Sequence, residues 1–266
     1  MKLSKPSGLK GRRVLVTAAS RGIGFGAAKA FLEEGSRVVI NSSSKANLAS
    51  AESRLRGLGE VHGVVADHRV EADIDRLVEE TEKLLGGIDV LTYVAGPPPA
   101  GTFMEKGYKD WRAAADLLMV GPAYLARRVA GGMIDSKTRG SMVFASSFTI
   151  REPVLNLAES NVARGSMLGL VRSLARELGP KGIRVNGVIP GYIDTERLMH
   201  VFDDTAARRK TTHEHAMAET IAQIPMGRLG TPEEMAEVIT FLSSDKASYV
   251  SGATVPVDGA FLRSVG

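Results

Sequence analysis

Short runs of aliphatic and β-branched residues alternate along the chain with longer stretches whose apolar positions return every three or four residues. Seven runs read as strands: 12–19 (RRVLVTAA), 36–43, 61–67, 88–96, 140–147, 183–191 and 253–260. Most are nearly continuous in apolar residues, the pattern of strands covered on both faces. Helical patterns fill the gaps at 22–35, 45–59, 71–87, 109–136, 159–179 and 231–245. The helix at 109–136 has to accommodate Gly121 and Pro122. Regular strand–helix alternation predicts the α/β class, with one doubly wound parallel sheet of about seven strands, a single-domain Rossmann fold. No repeat, low-complexity tract or linker interrupts the pattern, so 1–266 reads as one dinucleotide-binding and catalytic domain. GPPPAG (96–101) follows a strand and reads as a stiff loop. Segment 195–225 is charged and lacks a strand pattern, which predicts a substrate lid above the carboxyl edge of the sheet.

Composition narrows the function classes. A chain of 266 residues with 44% hydrophobic residues is large enough to bury a substantial core. The absence of cysteine excludes disulfides and thiolate metal sites. The run VLVTAA is too short for a signal core, and no apolar stretch reaches membrane-spanning length. A cytoplasmic protein without a membrane partner is expected. Net charge is +4, but lysines and arginines are scattered as isolated pairs and no aromatic RNA-binding motif accompanies them. No nucleic-acid partner is expected. HEH (213–215) has no further ligand nearby and reads as solvated lid, so no metal is expected.

The strongest local motif is VLVTAASRGIGFG. A strand ends at Thr17, a tight turn follows, and a helix opens at Gly22-Ile23-Gly24. A helix amino terminus offers free N–H groups and a positive dipole end, which suit a pyrophosphate. The second strand ends in INSSSK with no carboxylate to hold a ribose 2′-hydroxyl. Ser42, Ser43, Lys45 and, from the Gly-rich turn, Arg21 can instead donate to a 2′-phosphate. NADP(H) is therefore favoured over NAD(H).

These segments resemble the short-chain dehydrogenase/reductase family, in the single-domain form similar to bacterial 3-oxoacyl-carrier-protein reductases. TAASRGIG is similar to the family's TGxxxGIG, with Ala18 at the first glycine. Asp67 in VVADHR matches the acidic residue beside the adenine, and VAG (94–96) the end of NNAG, with Tyr93 and Val94 at the asparagine positions. RVNGVIPGYIDT (184–195) and the tail from Pro232 match as well. The resemblance implies hydride transfer between a nicotinamide cofactor and a ketone or alcohol, a 3-oxoacyl-type small molecule among the candidates. It implies cofactor contacts at Thr17, Ser20, Arg21, Gly22, Ile23, Gly24, Ser42, Ser43, Asp67, Ala95, Gly96, Arg164, Pro190, Gly191, Ile193 and Thr195. It also implies a homotetramer or homodimer in which helices 109–136 and 159–179 pair, with Gly165 and Gly169 permitting close contact.

The family's catalytic positions depart from its pattern. Its serine matches Ser147. The tyrosine falls 13 residues later at Ser160, the lysine at Arg164 and the asparagine at Leu118. The spacing back from Pro190-Gly191 agrees without a gap, so the substitutions belong to the site. A phenol near pKa 10 is an acid that a nearby ammonium can activate; a serine hydroxyl is far weaker. Serine can still hydrogen-bond an oxyanion. Arginine keeps the positive charge and five fixed donors but does not readily pass on a proton. Three readings follow. Ser147, Ser160 and Arg164 polarise the carbonyl while water supplies the proton, with Arg164 an electrostatic clamp that also suits a carboxylate-bearing substrate. Alternatively the chain is a catalytically inactive nucleotide-binding sensor or scaffold. In the third reading the acid has moved to Tyr192 or Tyr93.

Overall fold

The computed structural model describes residues 6–264. Seven parallel strands form one sheet: β1 (Arg13–Val16), β2 (Arg37–Ser42), β3 (Val61–Val65), β4 (Val90–Tyr93), β5 (Ser141–Ala145), β6 (Arg184–Pro190) and β7 (Thr254–Val257). Their order is β3-β2-β1-β4-β5-β6-β7. Strand side chains alternate between faces, so each apolar run feeds two cores. Leu15, Val39, Leu91, Phe144 and Val185 point to one face, where they pack with α3 (Glu71–Leu85), α5 (Gly121–Asp135) and α7 (Ser166–Leu178). Val14, Val38, Ile40, Val143 and Val188 point to the other, against α1 (Gly22–Glu33), α2 (Lys45–Leu55) and α10 (Pro232–Ser243). This two-sided demand explains the continuous apolar runs. Among the described residues no helix is long and apolar enough to cross a membrane.

The strands are shorter than the apolar runs, chiefly at their carboxyl ends. Residues such as Thr17–Ala19 and Val94–Gly96 leave the ladder and become lips of a crevice. Segment 195–225, which shows no strand pattern, holds two helices, α8 (Glu196–Arg209) and α9 (His213–Ile221). Thr195 and Thr212 cap them through their hydroxyls.

Two expected helices are broken where the site lies. The pattern at 109–136 divides into α4 (Tyr108–Ala115), a π-turn (Asp116–Val120) and α5. Pro122 has no N–H for the Leu118 carbonyl, and Gly121 N–H reaches back five residues to Asp116 instead. The Leu118 carbonyl is taken by Ser166 Oγ at 3.2 Å and the Leu117 carbonyl by Tyr93 Oη at 2.7 Å. The pattern at 159–179 divides into α6 (Ala158–Ala163) and α7, joined at Arg164-Gly165 by three-residue turns.

Gly121 is required by packing. A Cβ there would sit 2.3 Å from the His68 carbonyl oxygen and 2.8 Å from that of Asp116. Both are backbone atoms. Gly121→Ala is expected to destabilise the protein by about 1–3 kcal/mol, read as a lower thermal unfolding midpoint. An unchanged midpoint would show that the π-turn relaxes freely.

Candidate active site

A cavity of about 860 Å³ opens at the carboxyl ends of the strands. It lies where the strand order reverses between β1 and β4, the crevice that open α/β sheets use for ligands. Thr17 ties the two lips together: its Oγ1 donates to the Val94 carbonyl at 2.7 Å and accepts from Val94 N–H at 2.9 Å.

The Gly-rich turn forms one wall, with Ser20, Arg21, Gly22, Ile23 and Gly24 all lining the cavity. Ala18, at the family's glycine position, adopts φ +46, a conformation that costs a non-glycine residue about 1 kcal/mol. Gly24 allows the closest approach; a Cβ there would lie 2.6 Å from the Ala18 carbonyl oxygen. The first turn of α1 has neither a side-chain cap nor an acidic residue, so its N–H groups are available to an anion. The residues present fit a dinucleotide: uncapped N–H groups for a pyrophosphate, and Gly96, where a Cβ would meet no protein atom within 4 Å, for close approach to the ligand.

Ser42, Ser43, Asp67, Ala95, Gly96, Arg164 and Thr195 also line the cavity. Thr17, Pro190, Gly191 and Ile193, expected at the cofactor, are not among the residues that line it. Lys45 is exposed at the start of α2 and lies off the cavity wall. Asn41, His68, Arg69, Glu159 and Glu196 line it too, and sequence reasoning missed all five. Asp67 is held by Arg69, Nη2 to Oδ2 at 2.6 Å, and this bond keeps its carboxyl below the usual range. The signal for Arg69 was its position two residues after Asp67. Arg21 donates to Glu196 of α8 at 3.0 Å, a pairing across 175 residues that no local pattern announces. Glu159 is buried and pairs with Lys106 at 2.7 Å, fastening the 96–107 loop to α6.

Arg164 is 7% exposed. Its Nε donates to Ser160 Oγ at 3.1 Å, Nη1 to the Ser146 carbonyl at 3.4 Å, and Nη2 to the Ala95 and Gly96 carbonyls at 3.2 and 3.3 Å. Desolvation pulls its pKa down to about 10, which leaves it charged at neutral pH. Ser160 is buried under Arg164. Ser147 Oγ accepts from Thr149 N–H at 3.2 Å. Neither serine lies on the cavity wall. Tyr93 is fully buried, with its hydroxyl on the Leu117 carbonyl and its pKa raised by desolvation. Tyr192 packs between Phe148 and Phe261, with ring centroids 4.7 and 5.1 Å away, and burial raises its pKa also. Neither tyrosine lines the cavity. In segment 195–225, His213 pairs with Asp203 at 2.7 Å and His215 with Glu219 at 3.2 Å.

The fold and this crevice define an α/β protein of the dinucleotide-binding type. A family model described as enoyl-(acyl carrier protein) reductase matches residues 17–261. The human dehydrogenase/reductase SDR family member 4 is 35% identical over 253 residues, covering 94% of this chain and 87% of that protein. A 3-oxoacyl-[acyl-carrier-protein] reductase of Thermotoga maritima is 32% identical over 257 residues, 96% of this chain and 99% of that one. L-sorbose reductase from Gluconobacter frateurii, solved with NADPH and L-sorbose, superposes with a TM-score of 0.92 at 26% identity, over 98% of this chain and 100% of that one. The chain belongs to the short-chain dehydrogenase/reductase family, the NAD(P)-dependent oxidoreductases, and is an oxidoreductase.

His68 gives the site a pH signature. It is buried against Tyr93, ring centroids 5.4 Å apart, and its Nε2 has no hydrogen-bond partner. Desolvation lowers its pKa from the usual 6.5 to about 4. The unfolded chain therefore takes up a proton first as pH falls, and stability drops between those values. The expected loss is about 2 kcal/mol from about pH 7 to about pH 5. Urea unfolding at the two pH values measures it, and His68→Leu is expected to remove this part of the slope.

Proposed function

We propose that the chain is a reductase favouring NADP(H) over NAD(H), acting on a ketone or alcohol, with a 3-oxoacyl-type compound among the candidate substrates, through an atypical site of Ser147, Ser160 and Arg164. The observation that carries it is Arg164. One side chain lines the same cavity as the Gly-rich turn and bonds the ends of β4 and β5, beside Gly96. When bound, the nicotinamide supplies the hydride. Arg164 then offers a fixed positive charge to the oxygen on which negative charge develops. Ser160 orients Arg164 through Nε, and Ser147 shapes the turn after β5. No phenol lines the cavity, so water delivers the proton. NADP(H) is supported by the wall at the end of β2, where Asn41, Ser42 and Ser43 bring no carboxylate, and by NADPH in the solved relatives, L-sorbose reductase and the actinorhodin polyketide ketoreductase.

The proposal extends to one domain over 1–266 with 195–225 as its lid, a homotetramer or homodimer, and a cytoplasmic location. A second reading, a nucleotide-binding sensor or scaffold without catalysis, is favoured by a different observation. Ser147 and Ser160 are not among the residues lining the cavity, and the Leu118 carbonyl is taken by Ser166.

Calorimetry with NADPH and NADH tests the cofactor site without a known substrate. Tighter NADPH binding is expected, and binding of neither would overturn the reductase reading. Arg164→Ala is expected to weaken NADPH binding and turnover together, whereas Ser160→Ala lowers turnover with little change in binding. Unaltered binding and rate in both variants would remove these residues from the site. Glu196→Gln, which releases Arg21, is expected to tighten NADPH severalfold and to leave NADH nearly unchanged. An equal gain for both cofactors would place Arg21 away from the 2′-phosphate.

A further inference from the structure

Most of the charged side chains on the cavity wall are paired; Arg197, half-buried at the start of α8, has no ion pair among the described residues and meets solvent. Arg21 meets Glu196 at 3.0 Å, Arg69 meets Asp67 at 2.6 Å, and Glu159 meets Lys106 at 2.7 Å. Asp110 is exposed and accepts from Gly107 N–H at 2.9 Å. Arg164 differs. It is buried, and among the described residues no carboxylate lies within ion-pair distance of it. All four of its hydrogen bonds go to neutral oxygens. Dipoles of that kind orient a guanidinium but do not cancel its charge. Nη1 makes one bond only, which leaves an N–H without a partner. A buried cation without a counter-ion is costly, and here it borders an open cavity from which a counter-ion can arrive.

Its position separates it from the phosphates of a dinucleotide. The uncapped N–H groups of α1 and the end of β2 form one part of the wall. Arg164 sits at the ends of β4 and β5, followed by the Pro97-Pro98-Pro99 loop and the apolar Ala113, Ala114 and Leu117 of α4 and the π-turn. A ligand there meets the fixed charge of Arg164 and an apolar surface, with Glu159 already held by Lys106 and Asp110 exposed to solvent on the same wall.

We propose that Arg164 is an anion receptor and that the cavity takes a free keto acid, an apolar ketone carrying a carboxylate, in preference to a neutral ketone or a thioester. This names the substrate class of the site and rests on the reductase reading for its chemistry. The charge argument stands on the chain alone. A carboxylate reaching Nη1 forms a charge-assisted bond at a desolvated site, so an acid is expected to bind about tenfold tighter than its ester.

The test uses the full chain, with and without NADPH, and two probes, 3-oxohexanoate and methyl 3-oxohexanoate, titrated by calorimetry. The acid is expected to bind about tenfold tighter than the ester, and added chloride is expected to narrow the difference. Arg164→Met should abolish the preference, and Arg164→Lys should keep part of it. The lysine variant covers the case in which the methionine variant does not fold. Equal binding of acid and ester, a preference that survives in Arg164→Met, or no binding of the acid at millimolar concentration overturns the proposal. Failure of NADPH to bind would remove the reductase reading alone, because the acid–ester comparison on the free chain still judges the anion site.

Discussion

Every backbone carbonyl at the carboxyl edge of a parallel sheet needs a partner, and at the strand-order reversal the chain leaves in opposite directions and supplies few. Arg164 answers that constraint. Its guanidinium bonds carbonyls following β4 and β5, and Ser146 Oγ bonds the Arg164 carbonyl in return. The floor of the crevice is thereby held by one side chain from the α6–α7 junction. Thr17 does the same between the ends of β1 and β4. The crevice is open because the sheet divides there, and rigid because these two residues close the hydrogen bonds that the division leaves unmet.

The same choice shapes the chemistry. A guanidinium that satisfies three carbonyls is a fixed charge and a poor proton carrier. Around it the Leu118 and Leu117 carbonyls are bonded to Ser166 and Tyr93, and both tyrosines weighed from sequence are packed away from the cavity. On the proposed reading Arg164 contributes electrostatic stabilisation and the proton comes from water. The long-range pairs Arg21–Glu196 and Lys106–Glu159 fasten α8 and the 96–107 loop to the same cavity.

Much of this was legible in the chain. The apolar runs gave seven strands because each must fill a core on both faces, and the motif at 17–24 marked the helix terminus that opens on the cavity. The four-residue spacing of Ser160 and Arg164 is that of one helical turn, and there Arg164 Nε bonds Ser160 Oγ. Strand ends were overextended because apolar residues such as Val94 and Ala95 line the crevice as readily as they fill a sheet. The π-turn escaped periodicity because one missing N–H at Pro122 alters a single turn.

Local sequence determined the elements, their two-sided burial and the residue types at the site, because these follow from periodicity, from the conformational limits of glycine and proline, and from the chemistry of single side chains. Only the tertiary structure decided which groups face the cavity. Ser160 lies beneath Arg164 while its neighbour Glu159 looks in, Asp67 is already held by Arg69, and among the described residues Arg164 is the one arginine buried without a counter-ion. The direction of a side chain and the partner of a charge depend on atoms tens to hundreds of residues away, which no local pattern encodes.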